Sequence, residues 1–219
     1  MIQSRTPFDD MRHLMVASQL RTTGVNDPRV VAAMARVPRE EFVPAAARAL
    51  AYNDRPVPLG RGRYANLPMA TGLLLTAAYL RGEDRVLLIG AAHGYTAAVL
   101  AGLVREVVAV ECDAGLAATA RTALASLANV AVVEGELVDG DPTGAPFDVL
   151  MIDGAVAQVP DALVAQVAPG GRVVAGLVDR GVTRLASGIR TAGGFGLQPF
   201  ADAECTVLPG FAIPTGFTF

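Results

Sequence analysis

A buried strand followed at once by a glycine turn and a helix is the feature that most limits how this chain folds. The apolar run Val86–Ile89 ends at Gly90, a short loop reaches Gly94, and helical periodicity continues to Leu100. Some twenty residues after the loop begins, Glu111 ends the next apolar run. In a Rossmann-type unit the glycines let the backbone approach a nucleotide-bearing ligand, and the acid accepts hydrogen bonds from its ribose. We therefore predict a ligand site at the tips of these two strands.

Strands and helices alternate along most of the chain, which predicts an α/β fold with a Rossmann-like, doubly wound, mostly parallel sheet. We expect residues 1–68 to form an N-terminal helical and substrate-loop extension and residues 69–219 to form the ligand-binding domain. The segment from Phe195 onward is expected to add antiparallel edge strands. Strands are predicted at 86–89, 106–110, 130–133, 147–152 and 172–177. Helices are predicted at 8–19, 29–36, 44–51, 69–80, 95–103, 114–127 and 162–167, with 53–68 as loop or short extended pairs.

Charge and cysteine content set aside several classes of protein. The net charge of −3 argues against binding driven by nucleic-acid phosphates. Cys112 and Cys205 lie far apart, and with two histidines in the chain a zinc site is not expected. The N-terminus lacks a signal-peptide core, and no apolar stretch is long enough to span a bilayer. We expect a cytoplasmic protein without a membrane or nucleic-acid partner; the sequence leaves its oligomeric state open.

The loop from Gly90 to Gly94 also bears on which ligand it holds. A dinucleotide site uses G-x-G-x-x-G around the pyrophosphate, whereas this loop reads as G-x-G-x-G with Ala92 in the middle position. With no pyrophosphate to bind, S-adenosyl-L-methionine fits better than a nicotinamide dinucleotide. A nicotinamide-dependent dehydrogenase, which would use the same glycine and the same Glu111, is the alternative that this loop leaves open.

Further residues at the carboxyl ends of the strands are candidates for this cofactor site. Cys112 is placed to meet an adenine ring, and Glu136 to accept from the adenine amino group; ordinary packing and a solvated acid are the alternatives. Asp153 ends a strand and is expected to line the site, and His93 to line or cover the ligand, with a role as a base as the alternative. The predicted cofactor-binding residues are Gly90, Ala91, His93, Gly94, Glu111, Cys112, Gly135, Glu136, Leu137 and Asp153.

Several motifs together resemble the protein-L-isoaspartate O-methyltransferases. The specific matches are the N-terminal segments 15–16 with 19–20, 27–30, and 37–39 with 42–44, together with the stretch 51–60. The cofactor loop and the helix that follows it match as well, and the turn 169–172 is one that many methyltransferases share. The C-terminal run 207–211 resembles a divergent bacterial branch. The resemblance implies a Rossmann-like fold and transfer of a methyl group from S-adenosylmethionine to the α-carboxylate of L-isoaspartyl residues in aged proteins or peptides.

The chain departs from that family in its substrate loop. The family's usual G-x-G-Q-T-I-S-Q-P is here the segment 60–68, in which the glutamine is Arg63 and the serine is Asn66. These two residues are the predicted catalytic residues: Asn66 would donate a hydrogen bond to the acceptor carboxylate, and Arg63 would pair with it in bidentate fashion. Because the loop is altered, the alternative hypothesis is a cofactor-binding homologue with lost or altered methyltransferase activity.

Overall fold

A seven-stranded mixed sheet with helices packed against it organises the chain. The computed structural model describes residues 6–212. The strand order is β5 (Val130–Glu134), β4 (Glu106–Glu111), β3 (Arg85–Ile89), β6 (Phe147–Val156), β7 (Val167–Asp179), β8 (Val182–Ile189) and β9 (Gln198–Asp202). The strands from β5 to β7 in this order pair in parallel, and the last two pairings are antiparallel. The predicted Rossmann-like, mostly parallel fold with antiparallel C-terminal strands is confirmed.

The element bounds follow the predicted alternation. The strands are β1 Val57–Gly60, β2 Arg63–Ala65, β3 Arg85–Ile89, β4 Glu106–Glu111, β5 Val130–Glu134, β6 Phe147–Val156, β7 Val167–Asp179, β8 Val182–Ile189 and β9 Gln198–Asp202. The α-helices are α1 Pro7–Leu14, α2 Pro28–Arg36, α3 Pro68–Ala77, α4 Tyr95–Ala101, α5 Ala114–Ala123 and α6 Asp161–Val164. Four short helical pieces complete the N-terminal part: a π-helix at Met15–Leu20 and 3₁₀ turns at Arg21–Thr23, Arg39–Phe42 and Ala45–Leu50.

The register of the parallel strands brings the predicted loop and acid to one edge of the sheet. Ile89 pairs with Val110 and with Ile152, so the end of β3 lies level with the last residues of β4 and with Ile152 of β6, which continues for four more residues. Glu111 is the last residue of β4 and pairs with Glu134 of β5. Ligands of open α/β sheets bind beyond the carboxyl ends of the strands, and this edge is where the site is expected.

One hydrophobic core joins the N-terminal helices to the sheet. Buried residues of the π-helix and of α2, such as Met15 and Met34, belong to the same apolar cluster as Leu88 in β3. A second cluster on the other face of the sheet contains Leu87 and Ile89. Because packing is continuous across residue 68, the division into a 1–68 extension and a 69–219 domain stays a prediction. Within the described residues no helix is long and apolar enough to cross a membrane.

Several elements differ from the sequence prediction, and the helix expected at 44–51 is a 3₁₀ helix at Ala45–Leu50. The helix expected at 162–167 ends at Val164, because Val167 already pairs with Phe147 of β6 and begins β7. The helix expected at 8–19 changes to π-helix at Met15. Strand β8, Val182–Ile189, was not predicted, because its alternation is interrupted by glycine and its face is only partly buried. Of the segment expected to form edge strands, residues 213–219 lie outside the described part.

Candidate active site

The loop between β3 and α4 turns sharply at three residues with positive φ. Gly90 has φ +87° and Gly94 has φ +100°, conformations that a residue without a β-carbon adopts at little cost. Ala92 has φ +51°, which costs an L-residue about 1 kcal/mol. The turn is fixed by the amides of Gly90 and Ala91, which both donate to the Val110 carbonyl at 3.0 Å. The predicted loop is therefore present at the tip of the strand.

Glu111 is fully buried, and its carboxylate is bound by the protein itself. The Arg63 guanidinium donates from Nη1 to Oε1 at 2.5 Å and from Nη2 to Oε2 at 3.1 Å. The amide of Ala92 donates to Oε2 at 2.8 Å, and the amides of Cys112 and Asp113 donate to Oε1 at 3.0 and 3.1 Å. The predicted ribose acceptor and the predicted holder of the substrate carboxylate therefore form a bidentate ion pair with each other.

The carboxylate of Asp153 accepts hydrogen bonds from side chains in three other parts of the chain. Its Oδ1 accepts from Asn66 Nδ2 at 3.0 Å and from Thr71 Oγ1 at 2.8 Å, and its Oδ2 accepts from Thr96 Oγ1. The pairing of β6 with β7 shifts register around Asp153, and such a bulge re-aims a side chain. The predicted second catalytic residue, Asn66, is thus bound to a carboxylate of the protein.

Asn66 is held by its other polar atoms as well. Its Oδ1 accepts from the Thr206 amide at 3.2 Å, and its carbonyl accepts from the guanidinium of Arg39. Arg39 is itself buried; it donates to the Ala51 carbonyl at 2.8 Å and lies over the Tyr95 ring, 4.5 Å from its centroid. The loop after β2 is therefore built into the scaffold on both sides of the Asn66 side chain.

A segment near the C-terminus, residues 205–211, crosses the carboxyl edge of the sheet; we call it the closing segment. Ala155 exchanges two backbone hydrogen bonds with it, 2.7 and 2.9 Å long. Its Leu208 side chain fills the space above the glycine turn: a β-carbon on Gly90 would lie 3.0 Å from Leu208 Cδ1, and one on Gly154 would lie 2.8 Å from Leu208 Cγ. The absence of side chains at these glycines makes room for Leu208.

The cavity left at the strand tips is small. It has a volume of about 20 Å³ and is lined by the loop after β2, the glycine turn, Asp153 and Leu208. This is room for about one water molecule, whereas ligand pockets measure roughly 300–1,000 Å³. With Glu111 already paired and Leu208 above Gly90, the cleft in this conformation does not accommodate an adenosyl ligand.

Burial shifts the pKa of several groups around the cleft. It lowers the pKa of His93, against the opposing effects of a backbone hydrogen bond with Phe42 and of the Glu111 charge. It raises the pKa of Tyr95 to about 12 and that of Cys205 to about 12, and it raises the pKa of Cys112. The neutral forms of all four groups are favoured, so His93 is an uncharged residue at the cleft at neutral pH.

The remaining predicted residues lie at the same edge but differ in exposure. Cys112 is half-buried, with its Sγ 3.4 Å from Arg63 Nη1. Gly135 donates to the Glu111 carbonyl at 3.1 Å, Glu136 is exposed, and Leu137 is buried in the apolar cluster that contains Leu208. The ligand-binding and catalytic roles of all the predicted residues stay predictions.

Several residues of the site were not predicted from the sequence, and four of them carry its main contacts. Arg39, Thr71, Thr96 and Leu208 all contact or line it. Arg39 follows a proline, and Thr71 and Thr96 lie among apolar residues with helical periodicity, so none of the three is marked by a local motif. Leu208 lies in a segment without periodicity. Across residues 6–212, no cluster of three or more His, Cys, Asp or Glu side chains is arranged to hold a metal ion.

The chain and its fold are similar to known methyltransferases. Residues 11–191 match the profile of the family described as Protein-L-isoaspartate(D-aspartate) O-methyltransferase (PCMT). Protein-L-isoaspartate O-methyltransferase 1 of Rhodopseudomonas palustris (strain HaA2) is 42% identical over 190 residues, covering 85% of this chain and 78% of the relative. Protein-L-isoaspartate O-methyltransferase 2 of Marinobacter nauticus is 44% identical over 171 residues, covering 76% and 77%.

Two solved structures share the fold. A protein-L-isoaspartate O-methyltransferase superposes with a TM-score of 0.77 at 22% identity; the match covers 93% of this chain and 66% of that one, just under two thirds. A Plasmodium falciparum structure of that name, in complex with S-adenosyl-L-homocysteine, superposes with a TM-score of 0.76 at 15% identity, covering 93% and 99%. At these identities the structures show the fold alone, whereas the profile match and the two sequence relatives show that the chain belongs to the protein-L-isoaspartate O-methyltransferase family.

Proposed function

We propose that this chain is a carboxyl O-methyltransferase that takes S-adenosylmethionine as methyl donor and L-isoaspartyl residues of damaged proteins or peptides as acceptors. The observation that carries the proposal is the glycine turn of β3 beside Glu111 of β4, in a chain 42% identical to a relative of that name. Free Cys112 and Cys205 agree with a reducing, cytoplasmic location, which belongs to the same proposal.

The proposal needs a cleft that is arranged differently from the one described. Glu111 is the group that would hold a ribose, and it is bound to Arg63; Asn66 would face the acceptor carboxylate, and it is bound to Asp153. Arg63 must withdraw from Glu111 before a ribose can use that carboxylate, whereas Asn66 Nδ2 donates one of its two hydrogens to Asp153 and keeps the other for an acceptor. The proposal therefore includes the release of Arg63, and it assigns no catalytic step to the arrangement described.

A methyl-transfer assay with two matched peptides tests the activity. Purified protein is incubated with methyl-labelled S-adenosylmethionine and either an L-isoaspartyl peptide or the same peptide with L-aspartate. We expect label in base-labile ester on the isoaspartyl peptide alone. The Gly90→Val variant supplies the control, since a β-branched side chain at φ +87° displaces the turn. Equal incorporation into both peptides, or no incorporation by correctly folded protein, would contradict the proposal.

A second candidate function is a ligand-binding homologue that has lost methyl transfer. Asp153 favours it, because Asn66 Nδ2 donates to the Asp153 carboxylate at 3.0 Å. The same nitrogen is the predicted donor to the carboxylate of the methyl acceptor. A second carboxylate brought to that position meets a like charge in a partly buried site, which disfavours binding of the charged form. Binding of S-adenosylhomocysteine without any peptide methylation would select this function over the first.

A further inference from the structure

We infer that this protein closes its own cofactor cleft with two side chains, Arg63 and Leu208, and that an adenosine-bearing ligand enters only when both have moved. The inference rests on the proposed function for the identity of that ligand. It goes beyond that function because it describes a closed state of the free protein, in which groups that would face the ligand are bound to the protein instead.

The first half of the closure is the saturation of Glu111. Its two carboxylate oxygens offer about four lone-pair positions, and six donors from the protein already point at them. Three of these donors are backbone amides fixed by the turn and by the end of β4, two belong to Arg63, and the last is the thiol of Cys112, a weak donor at 3.6 Å. Ribose hydroxyls therefore find acceptor sites on Glu111 only if the guanidinium of Arg63 withdraws.

The second half is the position of Leu208. Its side chain occupies the face of Gly90 that a ligand would have to approach, and it packs with Leu137 and Phe211 in an apolar cluster. The closing segment is attached by two backbone hydrogen bonds to Ala155, by the Thr206 amide to Asn66 Oδ1 and by the Cys205 amide to Thr183 Oγ1. None of these bonds joins two strands of the main sheet, so the segment can lift without unpairing those strands.

The structure provides a place for Arg63 to go. An open groove of about 430 Å³ lies on the outer side of the ion pair, lined in part by Gly62, Arg63, Cys112 and Pro209. A rotated Arg63 side chain would reach this groove and remain solvated there. Leu208 lines the same groove and the closed cavity, so it forms the wall between them. Movement of both residues would join the two spaces into one pocket.

Closure has a quantitative consequence for binding. A ligand that binds only the open state has an apparent dissociation constant equal to its intrinsic value divided by the open fraction. Changes that weaken the closed state raise that fraction and tighten binding without adding any contact to the ligand. If the open state makes up about a tenth of the free protein, a variant that is almost entirely open binds the ligand about tenfold more tightly.

The experiment is a calorimetric titration of S-adenosylhomocysteine into the full chain and four variants. Arg63→Gln and Leu208→Ala weaken the two halves of the closure. Their controls are Arg180→Gln and Leu14→Ala, in which an exposed residue of the same type outside the cleft and the groove is changed; the Arg180 side chain is 92% exposed and Leu14 is 60% exposed. We expect each opening variant to bind about tenfold tighter than the parent protein, and each control to stay within about twofold of it.

The outcomes separate this inference from the proposed function. Equal affinity in the parent protein and both opening variants, or no binding by any of them, would overturn the closure. Tighter binding by the opening variants, together with no peptide methylation by the parent protein, would support the closure and contradict the proposed activity. Methylation by the parent protein with unchanged affinity across the variants would do the reverse. If Arg63→Gln does not fold, Leu208→Ala decides alone, because it leaves the buried ion pair intact.

Discussion

Replacement of Arg63 by methionine tests how much the buried ion pair contributes to folding. The Arg63 side chain is 10% exposed and that of Glu111 is fully buried, so the change leaves a carboxylate without its counter-charge inside the protein. Removal of one partner of a buried pair costs about 3–5 kcal/mol. Three backbone amides still donate to Glu111, so we expect the lower end, about 3 kcal/mol, which corresponds to a fall in Tm of about 6–12 °C for a chain of this length.

Urea unfolding followed by far-ultraviolet circular dichroism measures this loss. The matched control is Arg61→Met, whose exposed pair with Asp113 spans 3.5 Å and should leave the midpoint unchanged. The double variant Arg63→Met with Glu111→Gln removes both charges, and it should lose clearly less stability than the sum of the two single changes. The reasoning is refuted if Arg63→Met costs under about 1 kcal/mol, or if the two single changes add.

Three further changes test other parts of the site. Gly90→Val should destabilise the fold by about 1–3 kcal/mol, measured by urea unfolding, since its side chain meets Leu208 at a φ of +87°; an unchanged midpoint would count against the close approach. Asp153→Ala leaves three buried donors unpaired and should cost about 2–4 kcal/mol, whereas Asp153→Asn should cost less; equal losses would mean that the hydrogen bonds are not what matters. Because burial lowers the pKa of His93, the unfolded chain binds its proton more readily, and stability falls as the pH drops through the unfolded value near 6.5. His93→Gln should therefore flatten the pH dependence of unfolding between about pH 8 and 5.5, and an unchanged slope in this variant would contradict the reasoning.

The fold and the position of the site could be predicted because both depend on local sequence patterns. The apolar runs that become β3 and β4 are buried on both faces, and the glycine turn follows directly from a strand that ends at Ile89. Parallel pairing then places Glu111 beside the loop without any further information. Strand β8 escaped prediction because its pattern is set by its pairing with β7, which no local periodicity records.

The contacts inside the site could not be predicted, because they join residues far apart in the chain. Arg63 and Glu111 are 48 residues apart, and Thr71 and Asp153 are 82 apart. From the sequence, Arg63 and Asn66 are predicted to bind the acceptor carboxylate, and that role stays a prediction. The sequence did not show that each has a carboxylate partner within the protein, since that depends on how the loop after β2 lies against the sheet.

These internal partners suggest that stability and ligand affinity oppose each other in this chain. Arg63, Asn66 and Leu208 each satisfy a group at the strand tips: the carboxylate of Glu111, the carboxylate of Asp153 and the open face of the glycine turn. A contact that stabilises the closed protein must be broken before a ligand takes its place, so its free energy is subtracted from that of binding. Across substitutions at Arg63 and Leu208, each loss of unfolding free energy should therefore accompany a gain in affinity for S-adenosylhomocysteine. A preformed open site would show no such relation, because there a destabilising change leaves the ligand contacts as they were or weakens them.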